Sequence, residues 1–139
     1  ETREEFFKLF NRFVDNTHLT NITIKSNSRE ITFDKCSSNI LMTEFKKLCE
    51  ANFSHQDYIN ISKKFNLIFL SNVPELNDQK KDSCRRFISL IDMLYENKCS
   101  IVILASKPIS TLNTINNLSD EFKRTASRLY EMTIVQPTK

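Results

Sequence analysis

Residues 66–106, NLIFLSNVPELNDQKKDSCRRFISLIDMLYENKCSIVILAS, decide the fold. Leu67 to Leu70 is a run without a polar position, closed by Ser71, Asn72 and Pro74. Apolar residues then recur at Cys84, Phe87, Ile88, Ile91, Leu94 and Tyr95. That spacing follows a period of 3.6 and predicts a helix with one apolar stripe. Ile101 to Ala105 is a second apolar run, ended by Ser106, Lys107 and Pro108. Strands that are apolar at every position are covered on both faces, as in a parallel sheet. The helix between them is then the crossover. Ligands of such sheets sit beyond the carboxyl ends of the strands, which here carry Ser71, Asn72 and Ser106.

Working outward, Phe6, Phe7, Phe10, Phe13 and Val14 mark a first helix, opened by the capping-box pattern Thr2 to Glu5 and ending near Asn16. Ile22 and Ile24, then Ile31 and Phe33, alternate with polar residues around Ser26-Asn27-Ser28, which predicts an antiparallel hairpin over 21–34. A further strand is expected at Ile40 to Met42 and a short helix at Phe45 to Cys49. Ser54 and Asp57 cap another helix through Phe65, and Asn77 or Asp78 caps the central one. Leu118, Phe122, Ala126 and Leu129 mark a last helix, which turns into a third parallel strand at Met132 to Val135. The fold class is therefore α/β. A mainly parallel sheet, with strands near 67–71, 101–105 and 132–135, is flanked by helices and preceded by the hairpin. The chain, 1–139, reads as a single domain with no repeat or linker.

The 139 residues suffice for one real core. A net charge of +3, with lysine doublets scattered along the chain, gives no strong nucleic-acid signal. Cys36, Cys49, Cys84 and Cys99 form no CxxC pair and read as buried free thiols. With only His18 and His55, both in polar contexts, neither a zinc site nor histidine-based catalysis is expected. No run approaches a membrane span or a signal peptide.

Gly is absent, where average usage of about 7% would give roughly ten. Loops that cradle phosphates need glycine for close backbone approach. This chain therefore holds neither a Walker A loop nor a dinucleotide fingerprint. Asn16, Asn27, Asn52 and Asn97 are expected to take glycine's left-handed positions.

Two charged stripes remain. On the last helix Asp120, Arg124 and Arg128 stand at successive i, i+4 steps, with Glu121 facing both arginines. Either Arg128 projects into a neighbouring subunit, or it pairs with Glu131 or Asp120 and steadies the surface. On the central helix Asp78, Asp82 and Arg86, beside Arg85, form a solvated face or a contact. Ser71, Asn72 and Ser106 supply no carboxylate for magnesium or for a general base.

Five segments carry a resemblance: Ser54-His-Gln-Asp57-Tyr58-Ile59, Phe69-Leu-Ser-Asn72-Val-Pro74, Arg85 to Tyr95, Ala105-Ser-Lys-Pro108, and Glu121 to Met132. In this order they resemble the C-terminal part of the ZapE-type, or AFG-one-like, ATPases over essentially the whole chain. The resemblance implies a P-loop NTPase of the AAA+ class. Its Walker A and Walker B segments are expected upstream, so this chain is expected to be the C-terminal portion of a larger ATPase. ATP and Mg2+ are implied for the full-length protein and none for this chain alone. Arg124 and Arg128 match the family's SRL helix, which implies subunit-interface arginines in a homo-oligomer. Bacterial relatives often carry Asp where Asn72 stands, which argues against a second magnesium site. Implied partners are the upstream ATPase domain and a client, either a cell-division or a membrane-associated protein. The implied location is cytoplasmic or membrane-peripheral in bacteria and mitochondrial in eukaryotes. The alternative reading is a non-catalytic module that docks a client; a helicase-loader-like nucleic-acid binder is the weakest.

Overall fold

A computed structural model of the chain describes residues 3–14, 19–26 and 29–132. Helix α1, Arg3–Val14, precedes strands β1, Thr20–Ser26, β2, Arg29–Ser37, and β3, Ile40–Glu44. Helices α2, Phe45–Cys49, and α3, His55–Lys64, lead to β4, Leu67–Val73. A 3-10 turn at Asp78–Lys80 opens α4, Lys81–Glu96, which returns as β5, Ser100–Ala105. The short α5, Ile109–Leu112, and a second 3-10 turn at Asn116–Leu118 precede α6, Ser119–Met132.

The five strands form one mixed sheet in sequence order. β1 and β2 make the expected antiparallel hairpin, with Ile22 opposite Phe33 and Ile24 opposite Ile31. β3 runs antiparallel to β2 but parallel to β4, and β4 is parallel to β5. The continuous apolar runs behave as expected. Leu67, Ile68, Phe69 and Leu70 are all buried, because both faces of β4 are covered. On one face Phe6, Phe10 and Val14 of α1 pack on Met42, Phe69, Val102 and Leu104. On the other, Ile68, Leu70 and Ile101 meet Phe45, Ile61, Phe87, Ile91 and Leu129 from α2, α3, α4 and α6. Burying each such Phe, Leu or Ile contributes about 1.5–3 kcal/mol, so these two layers dominate the stability.

Caps fix the ends. Ser54 N–H donates to Asp57 Oδ2 at 2.8 Å in the capping box of α3. Asn77 Oδ1 accepts from Gln79 N–H at 3.0 Å, so the cap acts on the 3-10 turn ahead of α4 rather than on α4 itself.

Three expectations need correction. Met132 is not the start of a parallel strand. It is buried as the last residue of α6, in helical step with Phe122, Thr125 and Leu129; positions 133–135 lie outside the described residues. The third parallel strand is β3. Asn52 and Asn97 do not take left-handed backbone; Ser38, Asn72 and Lys98 do, with φ of 57°, 57° and 59°. Asn97 keeps φ of −98° and caps α4, passing the reversal to Lys98. Asn16, Asn27 and the Thr2 cap of α1 lie outside the described residues.

Two bulges interrupt the ladders. Leu70 faces Ile103 but Val73 faces Ala105, so β4 carries one extra residue near Asn72. Thr20 faces Cys36 while Ile22 faces Phe33, so β2 carries one near Asp34 and Lys35. The β2–β3 ladder is short, holding only Cys36 to Leu41 and Ser37 to Ile40.

Candidate functional site

The strand ends come together without making a catalytic centre. Ser71 is buried, and its Oγ reaches the Thr43 carbonyl at 3.5 Å across β3. Asn72 is turned outward by the bulge, and its Oδ1 accepts from Arg3 Nη1 at 3.2 Å. Ser106 is exposed, and its N–H donates to the Val73 carbonyl at 2.9 Å. These groups finish strands and tie β3, β4, β5 and α1 to one another. None of these three supplies a carboxylate; the one at the strand ends is Glu44 of β3, the register partner of Ser71, and no group of three His, Cys, Asp or Glu among the described residues is arranged for a metal. A chain without glycine has no loop to wrap a triphosphate. The described residues therefore do not fit a magnesium nucleotide on their own.

The charged stripe on α6 is organised differently from its spacing. Arg124 and Arg128 do not pair with Asp120. Both reach across to Asp92 of α4, Arg124 Nη2 to Oδ2 at 3.2 Å and Arg128 Nη1 to Oδ1 at 2.5 Å. Tertiary packing wins here because α4 and α6 meet along their apolar stripes, with Phe87 stacked on Phe122 at 6.3 Å. Asp92 flanks that seam one residue after Ile91 and meets both guanidinium groups.

Arg128 is held twice more. Its guanidinium lies over the Tyr95 ring, 4.6 Å from the centroid. The Tyr95 hydroxyl donates to Glu131 Oε1 at 2.9 Å, and that carboxylate raises the phenol's pKa. Arg124 has the looser position, with its side chain 48% exposed against 26% for Arg128. Asp92 and Tyr95 are the residues that sequence spacing missed. Both lie within the Arg85 to Tyr95 segment, but i, i+4 arithmetic on one helix cannot reach a partner on another.

The other candidates have local roles. Arg86 Nη1 donates to the Cys49 carbonyl at 3.1 Å, tying α4 to the end of α2. Asp82 pairs with Arg85 in solvent at 3.8 Å, so the Asp78, Asp82 and Arg86 stripe is not one ladder. His55 is exposed at the start of α3, and His18 lies outside the described residues. All four cysteines are buried and free. Burial pushes the Cys84 thiol up to about 11 and Cys99 up to about 12, and it raises Cys36 and Cys49 as well. None is a poised nucleophile. No described helix is long and apolar enough to cross a membrane.

Comparison with known proteins identifies relatives of the chain. The cell division protein ZapE of Escherichia coli K12 is 31% identical over 132 residues, which is 95% of this chain but 35% of ZapE. Lactation elevated protein 1 homolog B of Danio rerio is 34% identical over 104 residues, covering 75% of this chain and 21% of that protein. The chain thus spans about a third or less of the length of these curated relatives. No solved structure gives a significant match. The AFG1-like ATPase family model matches residues 1–137, and the chain belongs to that family.

Proposed function

We propose that the chain is the C-terminal, glycine-free domain of an AAA+ ATPase whose full-length form hydrolyses ATP. The nucleotide and its magnesium would be held by other residues of that protein. The arginine pair on α6 would supply positive charge at a subunit interface of a homo-oligomer.

The observation that carries this reading is the sharing of Asp92. Arg128 is fixed by a carboxylate and an aromatic face, so it stays with α4. Arg124 is half-exposed and can leave Asp92 without stranding a buried charge, because Arg128 still neutralises it. Arg124 is therefore the group free to reach a phosphoryl group on a neighbouring subunit, and Arg128 the one that keeps α6 in place. A supplied arginine of this kind is worth roughly 10³–10⁵ in turnover where it stabilises phosphoryl charge.

In the full-length protein, Arg124→Ala should lower ATP turnover by about 10³ or more while nucleotide binding persists. Mixing it with subunits carrying a dead phosphate loop should restore part of the activity, since the two defects then lie in different subunits. Unchanged turnover in Arg124→Ala would remove the role. The name of the Escherichia coli relative ties that protein to cell division. A cytoplasmic role in division, or in protein quality control, is the setting we propose for the full-length protein.

A further inference from the structure

The short β2–β3 ladder leaves a cleft in the sheet. Beyond Cys36 and Leu41 the two strands part. The bulge at Asp34 and Lys35 bends β2 where they separate. The opening, about 760 Å³, is lined by Thr32 to Lys35 on β2, Met42 to Glu44 on β3, and Ser71 at the end of β4. Arg3 and Phe7 of α1 close one side, and Lys46 and Lys47 of α2 the other.

Two properties define what fits. The first is a free strand edge. The Thr43 carbonyl faces β4, where it accepts from Ser71 Oγ. Strand geometry then turns the N–H and C=O groups of Met42 and Glu44 the other way, into the cleft. The second is charge. Arg3, Lys35, Lys46 and Lys47 surround the cleft against Asp34 and Glu44. Among the described residues, none of these four cations makes an ion pair with a carboxylate. Arg3 is spent on Asn72 and on the Phe7 ring at 5.2 Å, and Lys47 lies 5.5 Å from the centroid of Phe33. Lys35 and Lys46 are exposed.

We infer that the cleft is a docking slot for an extended, acidic peptide segment of a partner protein, which pairs with the free edge of β3 while its carboxylates meet Lys35 and Lys46. Added strands of this kind take affinity from main-chain hydrogen bonds and specificity from alternate side chains. The inference names the partner chemistry for the client-docking reading and does not depend on the role of Arg124.

The test uses the purified chain and a short fluorescein-labelled peptide that alternates Asp or Glu with Val, read by anisotropy. The peptide should bind, weaken as salt rises, and lose about tenfold or more in affinity against Lys35→Glu/Lys46→Glu. The same peptide N-methylated at alternate residues should not bind, a result that is independent of how any variant folds. A Lys-for-Asp peptide should not bind either. Absence of binding, equal binding of the N-methylated peptide, or an unchanged affinity in the charge-reversed variant would each overturn the inference. Competition by inorganic phosphate alone, with no effect of N-methylation, would make the cleft an anion site and overturn it as well.

Discussion

The two faces of the sheet are built on different terms. One is covered by a single helix, α1, whose Phe6 and Phe10 meet Phe69 edge to face at 5.6 Å and 5.2 Å. The other is covered by α2, α3, α4 and α6 and contains Cys49, Cys84 and Cys99. The thin face depends on one aromatic anchor. The thick face distributes its burial over many elements and carries the arginine cluster on its outer layer. The more redundant packing and the arginine cluster therefore sit on the same side, and α1 is the element that can be lost first.

The largest effect that probes this contrast is Phe69→Ala, expected to cost about 3–5 kcal/mol in urea unfolding. Amides of α1 should lose hydrogen-exchange protection before those of α4. If both helices lose protection together, the faces are not separable units. Next in size, Asp92→Ala should cost about 1–2 kcal/mol, because it removes the acceptor of two partly exposed guanidinium groups. The loss should be visible as weaker protection in α6 with α1 unchanged.

Alkaline pH should act through the thick face alone. Its thiols stay protonated in the fold, with Cys84 near 11 and Cys99 near 12, while in the unfolded chain they ionise near 9. The folded state thus binds more protons above pH 9, and stability falls as pH rises from there. The slope is of order 1 kcal/mol per thiol per pH unit, and Cys99→Ala should reduce it. Below pH 9 these groups give no dependence. The smallest effect is on the stability of Arg124→Ala, expected within about 0.5 kcal/mol of the parent because an exposed ion pair contributes little. A larger loss would mean that Arg124 is a structural brace.

Much of this was legible in the residues. Leu67 to Leu70 and Ile101 to Ala105 announce covered strands, and the stripe from Cys84 to Tyr95 announces the helix between them. Other features depend on partners distant in sequence. Nothing at Ile40 to Met42 says that β3 will pair antiparallel on one side and parallel on the other. Arg124 and Arg128 find Asp92 more than thirty positions away only because α4 and α6 share a seam. Met132 could end a helix or begin a strand by local preference, and its burial against the thick face decides for the helix. The cleft was invisible, since the parting of two strands leaves no compositional mark.

The extra residue in β4 at Asn72 has an implication for length changes. Removing that single position would make the ladder regular, leaving Val73 two residues after Leu70 and still opposite Ala105. Shortening the strand there should therefore be milder than deleting a paired position of β4, and its cost is the contact between Arg3 and Asn72. Glycine, which adopts the left-handed backbone there without strain, should be the mildest replacement of all.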